Sequence, residues 1–161
     1  MTKKSKAEIC EYVHQFKERC AAHNLLDEDG KVNLPKVYEQ LPSLWGWYFV
    51  PKEASEMGAR LGTSNPVKKC IALREDVYDG MCMGDKEHQF TGAHELGHMI
   101  MHGELEFARQ ERGVQSLKDN IEAEADDFAK ELLGFPSPAY QRALIQVGEL
   151  CAKFMLPKSA S

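Results

Sequence analysis

No stretch of the chain approaches the length and apolarity of a membrane span. The basic start, MTKKSK, runs into the amphipathic AEICEYVHQFKERC without a continuous hydrophobic region or a cleavage signature. The protein is therefore expected to be neither exported nor embedded in a membrane. Cysteines of the C-x-x-C type are also missing. Cys10, Cys20, Cys70, Cys82 and Cys151 are odd in number and scattered, which argues against a disulfide framework and a cysteine-held zinc site, and fits a reduced, cytoplasmic setting. Positive charge is in short supply: 20 Lys and Arg face 25 Asp and Glu, for a formal net charge of -5. The cluster of Lys3, Lys4 and Lys6 is too small to reverse that, so nucleic acid is not expected as a direct ligand. Internal repeats and low-complexity segments are absent. What remains is 161 residues, 43% hydrophobic and 28% charged, long enough for one compact domain and short for two.

Periodicity divides that domain, taken as residues 1–161, into elements. Ile9, Val13, Phe16 and Cys20 repeat at helical spacing and predict a first helix over about residues 6–23, before the acidic turn DEDG. A short helical turn at Leu34 to Leu41 is broken by Pro42 and Ser43, and LWGWYFV then reads as a strand closed by Pro51. GARLG and KKCIALRED read as two further strands, giving strands over about residues 44–75. Asp85 is the expected N-cap of a helix over about 85–102 that stops at Gly103, with Phe90, Ala93, Gly97 and Ile100 toward the core. The polar link ELEFARQERGVQ leads to a helix over about 116–133, and Ser137 with Pro138 starts a last helix over about 138–154. Helices around a small, mainly antiparallel sheet make an α+β domain.

The densest chemistry lies in GAHELGHMIMHG, residues 92–103. Residues four apart share one face of a helix, so His94 and His98 can offer two imidazoles to one ion, with Glu95 beside it as general base; this is the H-E-x-x-H pattern of zinc hydrolases. A hydrolytic zinc ion usually takes three protein ligands. The extended signature with a third histidine fails, because Met101 and Glu104 stand at its glycine and final histidine positions. His102 lies about 6 Å further along the axis than His98, at about 1.5 Å per residue, and reads as a structural or cleft-lining residue at a helix end that favours a partly cationic ring.

A glutamate from the later helix, NIEAEADDFAKELL, is the alternative. On a projection of about 100° per residue with Ile121 at zero, its apolar residues span an arc from roughly -20° to +120°. Glu122, near roughly +100°, falls inside that arc and Glu124, near roughly -60°, outside it. Glu122 is thus the expected third ligand, while Glu124, Asp127 and Glu131 read as a solvated acidic face. Asp126, one turn after Glu122, is placed to accept a hydrogen bond from the free ring nitrogen of a ligating histidine. Gly97 suggests close approach of another backbone near the metal. Cys82 reads as a small buried or loop thiol, with a cysteine-ligated deformylase site as a minor alternative.

FTGAHELGHMIMH followed by EAEADDFAKELL resembles the ImmA/IrrE family of zinc metallopeptidases, whose members show a phenylalanine-led H-E-L-G-H helix and a later E-x-x-A-[DN]-x-F-A-x-x-L-L helix. The close matches cover about 25 residues, and the order of elements extends the likeness over most of the chain; LLGFP departs from the family's frequent methionine before proline. The resemblance implies a zincin-like fold and cleavage of a helix-turn-helix repressor or related regulator in a phage, mobile-element or stress circuit. In such a site Glu95 takes a proton from water and passes it to the leaving amine. Tyr48, Tyr78 and Tyr140 are formally available as oxyanion donors, and none is assigned. An exposed strand edge, KKCIALRED first, would hold an extended substrate. The alternative is a metal-stabilised binding module, or one half of a toxin and antitoxin pair, that recognises a repressor or antitoxin-like regulator without cutting it.

Overall fold

A computed structural model describes residues 3–103 and 115–159. The first helix, α1 (Lys6–Ala22), starts at a reciprocal cap in which Ser5 and Glu8 satisfy each other's backbone N–H groups, and it buries Ile9, Val13, Phe16 and Cys20. Two short helices follow, α2 (Leu34–Glu39) and α3 (Leu41–Trp45). Pro42 does not break the chain here. It sits in the first turn of α3, where its missing N–H costs nothing, and Gly46, at φ 67°, ends the helix. Leu44 and Trp45 are therefore helical, and the strand expected from LWGWYFV shrinks to β1 (Tyr48–Lys52). Pro51 lies within that strand, which its edge position allows.

After α4 (Ala54–Met57), Gly58 turns the chain at φ 60°, and the second strand, β2 (Gly62–Asn65), begins where the expected GARLG ends. GTSN has little intrinsic strand preference; it is held by its partner. That partner, β3 (Cys70–Arg74), is the centre of a three-stranded sheet of order β1-β3-β2. The sheet is mixed. β1 pairs with β3 in parallel from Tyr48↔Cys70 to Lys52↔Arg74, and β2 pairs antiparallel from Gly62↔Leu73 to Asn65↔Cys70. KKCIALRED is thus covered on both sides, which removes it as a substrate-docking edge. Ile71, Ala72 and Leu73, three buried residues in a row, are the pattern of a strand packed on both faces.

The chain then forms a helix that the strand reading missed, α5 (Glu75–Cys82), with acidic Glu75 and Asp76 in its first turn and Val77 and Met81 buried four apart. Gly80 disguises it, and its lack of a side chain is required, since a Cβ there would lie 1.8 Å from Nδ1 of His88. Asp85 caps α6 (Lys86–His102) by accepting from the N–H groups of Glu87 and His88. Among the described residues two further helices follow, α7 (Gln115–Leu133) and α8 (Pro138–Ser159). Most of the expected link ELEFARQERGVQ lies outside the described residues.

The motif helix α6 runs through the middle of the core. Tyr38 of α2, 1% exposed, donates its hydroxyl to the Gly92 carbonyl at 2.7 Å, and Leu96 and Ala93 are fully buried. Gly97 lets α6 and α7 close together, but it is a side chain and not a backbone that approaches: a Cβ at Gly97 would lie 3.1 Å from Cβ and Cδ1 of Phe128. Phe128 in turn meets Phe16 of α1 edge-on at 5.8 Å between centroids, so α7 is packed on two sides. Among the described residues no helix is long and apolar enough to cross a membrane, and all five cysteines are free thiols.

Candidate metal centre

One turn of α6 separates His94 from His98, and one turn of α7 separates Glu122 from Asp126; where the two helices meet, these four side chains converge. Nε2 of His94 lies 3.0 Å from Oε2 of Glu122, Nε2 of His98 lies 3.2 Å from Oε1 of Glu122, and the two Nε2 atoms are 3.1 Å apart. A tetrahedral ion with bonds of about 2.0–2.1 Å needs donor atoms about 3.3 Å apart. The Glu122 carboxylate turns one oxygen to each ring, and one ligand atom from each of His94, His98 and Glu122 lies within 4.8 Å of the other two, close enough together to hold one such ion. Behind His94, Oδ1 of Asp126 lies 2.7 Å from Nδ1.

The electrostatics follow from that crowding. Burial pulls the His94 imidazole toward neutrality, but its hydrogen bonds to Asp126 and Glu122 outweigh it and hold the metal-free ring protonated up to about 10. Those to His94 and His98 keep the Glu122 carboxyl well below the usual range. A proton on His94 does between the carboxylates what a cation would do.

The burial of the two glutamates reverses the helical projection. Glu122 is exposed, whereas Glu124 is 4% exposed. The apolar arc marked only the face toward α6. Because α1 covers a second face of α7, the buried surface is wider than the arc, and Glu124 falls within it. Its carboxylate is satisfied on both oxygens: Oε1 lies 2.8 Å from Nε2 of His102, and Oε2 accepts from the backbone N–H of Lys4. His102 is itself 1% exposed, and burial, opposed by its bond to Glu124, pulls its pKa down to about 4. It is a neutral core histidine and not a cationic helix end.

Glu95, 6% exposed, lies against β2 and lines the cleft there. Its Oε2 accepts from the Ser64 hydroxyl at 2.6 Å. Gly62 makes room for it, since a Cβ there would lie 2.9 Å from Leu73 Cδ2, 3.0 Å from Glu95 Cγ and 3.2 Å from Glu95 Oε1. Two lobes meet at Gly62, Glu95 and Glu122: one of about 380 Å³ lined by Leu61, Phe90, Pro138 and Ala139, the other of about 430 Å³ lined by Arg60, Thr63, Ser64 and His98. Arg60, Gly62 and Ser64 carried no signal in the sequence, because they gain meaning only when β2 is laid beside α6. Of the tyrosines, Tyr48 is 63% exposed on β1 and Tyr78 packs on Phe49; neither lines these lobes, and the Tyr140 side chain lies outside the described residues. Cys82, exposed at the end of α5, is not among the metal-holding group.

The sequence model of the IrrE N-terminal-like peptidase domain matches residues 52–136, more than half the chain, from the end of β1 past the end of α7. No curated protein and no solved structure matches the chain. With its HELGH helix, the later glutamate helix and β2 all inside the matched region, the chain belongs to the peptidase family of the IrrE N-terminal-like domain.

Proposed function

We propose that this peptidase is zinc-dependent and cuts a specific protein regulator, such as a helix-turn-helix repressor in a phage, mobile-element or stress circuit. His94, His98 and Glu122 are its metal ligands, Asp126 supports His94, and Glu95 is its general base. The observation that carries this reading is the triangle of His94, His98 and Glu122 beside a carboxylate that faces the cleft. When bound, zinc supplies Lewis acidity toward a water and the scissile carbonyl. Glu95 takes the proton from that water and returns it to the leaving amine, while the Ser64 hydroxyl fixes which carboxylate oxygen stays free for the transfer. Arg60, lining the polar lobe, is the cationic side chain available to the carbonyl oxygen.

The substrate strand is assigned to β2, the edge beside Glu95. The Leu61 carbonyl accepts from the Arg74 N–H of β3, so by alternation Gly62 and Ser64 turn their backbone groups outward. An extended loop or linker of the partner would pair there, its side chains falling to the apolar and polar lobes. The test is metal analysis of the purified protein, followed by digestion of candidate regulators by wild type and Glu95→Gln. One zinc per chain, lost in His94→Ala and Glu122→Ala, with cleavage by wild type alone is the expected result. Full zinc occupancy in those alanine variants would overturn the ligand assignment, and equal cleavage by Glu95→Gln would remove the base.

A further inference from the structure

The His102–Glu124 pair takes no part in the chemistry above, yet it is the most deeply buried ionisable pair among the described residues, with side chains 1% and 5% exposed. We propose that His102 and Glu124 are positioning residues, a relay that locks His98 in its metal-binding tautomer and is closed at its far end by the backbone of Lys4. The proposal rests on the reading of His94, His98 and Glu122 as metal ligands.

The direction of the relay follows atom by atom. Nε2 of His98 faces His94 and Glu122, so in a metal-binding state its lone pair is there and its proton is on Nδ1. That Nδ1 lies 3.1 Å from Nδ1 of His102. Two N–H groups cannot face each other, so His102 Nδ1 accepts and the His102 proton sits on Nε2. Nε2 in turn donates to Oε1 of Glu124 at 2.8 Å. The remaining oxygen of Glu124 accepts from the Lys4 N–H, immediately before the Ser5 cap of α1. Every donor in the chain has one acceptor, and reversing any tautomer breaks the contact on either side. Ligating histidines commonly pass their second N–H to a carboxylate, as His94 does to Asp126. His98 reaches its carboxylate through a second imidazole because α6 has moved into the core by that turn. His102, one turn further on, is the group placed to bridge to α7.

The relay makes a prediction that a mere packing role does not. In His102→Gln the amide oxygen can accept from His98 and the amide NH₂ can donate to Glu124, whereas His102→Leu fills the space and does neither. The metal-free 161-residue chain is titrated with Zn²⁺ against a chromophoric chelator, and with Co²⁺ to read the ligand field, below the unfolding transition of each variant as located by circular dichroism. His102→Leu is expected to lose about 10–100-fold in affinity, the usual cost of removing such a support, with an altered Co²⁺ spectrum, and His102→Gln to recover most of that loss. Glu124→Gln, which sets an amide NH₂ against the Lys4 N–H if its oxygen keeps His102, is expected to weaken binding several-fold and guards against a Leu variant that fails to fold. Wild-type affinity in His102→Leu or in Glu124→Gln, or equal weakening in His102→Leu and His102→Gln, would overturn the relay while leaving the metal site standing. A wild-type chain that takes up neither ion would overturn the metal reading, and the relay with it.

Discussion

The two histidines of the HELGH helix stand one turn apart and are held in opposite ways. His94 leans on Asp126 and Glu122, whose side chains are 56% and 57% exposed, so its support is wet, charged and open to the cleft. His98 leans on His102 and Glu124, sealed between α6, α7 and the start of α1. The contrast separates two jobs that a list of ligands merges. The wet side can exchange protons and admit substrate, since the charges that hold His94 face water. In the proposed relay the dry side fixes geometry, since water cannot replace a broken contact there.

Glu95 lies on the cleft side and belongs to neither support, so replacing it tests the chemistry with both supports in place. Glu95→Gln keeps the size and an oxygen for the Ser64 hydroxyl but cannot take a proton. Turnover of a cleaved regulator is expected to fall by about 10³-fold, within the usual range for a lost general base, with zinc affinity unchanged in a chelator titration. A matching fall in affinity would show that Glu95 serves the metal and not the reaction.

The two glutamates of α7 should then fail in crossed ways. Glu122→Ala removes a proposed ligand, so zinc affinity should fall by at least about 100-fold, past the range for lost outer supports, while metal-free stability falls less than in Glu124→Ala, because the Glu122 side chain is 57% exposed and Asp126 still holds the His94 proton. Glu124→Ala leaves the His102 Nε2–H and the Lys4 N–H without their acceptor in a dry site, which costs about 2 kcal/mol of folding stability, with zinc affinity falling less than in Glu122→Ala. Denaturant unfolding of the metal-free variants, paired with metal titration, reads both axes. Equal effects of the two substitutions on stability would erase the wet and dry distinction.

That crossing also marks how far the sequence can be read. The convergence of His94, His98, Glu122 and Asp126 was legible because helical spacing converts position into direction, and the structure brings the four side chains together. The role of Glu124 was not legible. A projection sees one helix at a time, and the burial of Glu124 depends on α1, which contacts α7 more than a hundred residues away in sequence. The same limit hid β2 and its cleft residues: GTSN becomes a strand only because β3 lies beside it. Conversely, α5 was lost to local signals, where Gly80 and the neighbouring strand outweighed the spacing of Val77 and Met81. The α+β class survives these errors because long amphipathic helices carry it, and the sheet's mixed pairing does not alter their order.

The smallest expected effect is the most informative about the wet side. In the metal-free protein His94 faces Asp126, Glu122, Glu95 and His98, and it holds its proton to about 10, above its ordinary 6.5. The sign is fixed by that upward shift. This proton stabilises the metal-free fold fully below about 6.5, and the contribution is lost as pH rises through about 10. Zinc must displace the same proton, so its affinity should climb by about tenfold per pH unit as pH rises toward about 10 and level off above it. Asp126→Asn cuts into both sides of this balance. It removes one of the groups that raise His94, so less work is needed to expel the proton at neutral pH, but it also leaves a less basic ligand. At pH 7 the two effects oppose each other, and zinc affinity should change by only a few-fold. Above the wild-type plateau the proton no longer matters, and the loss should approach about tenfold, the lower end for such supports. The variant's pH profile should therefore flatten at a lower pH than wild type. A profile that keeps the wild-type midpoint would mean that Asp126 neither holds the His94 proton nor tunes the ligand.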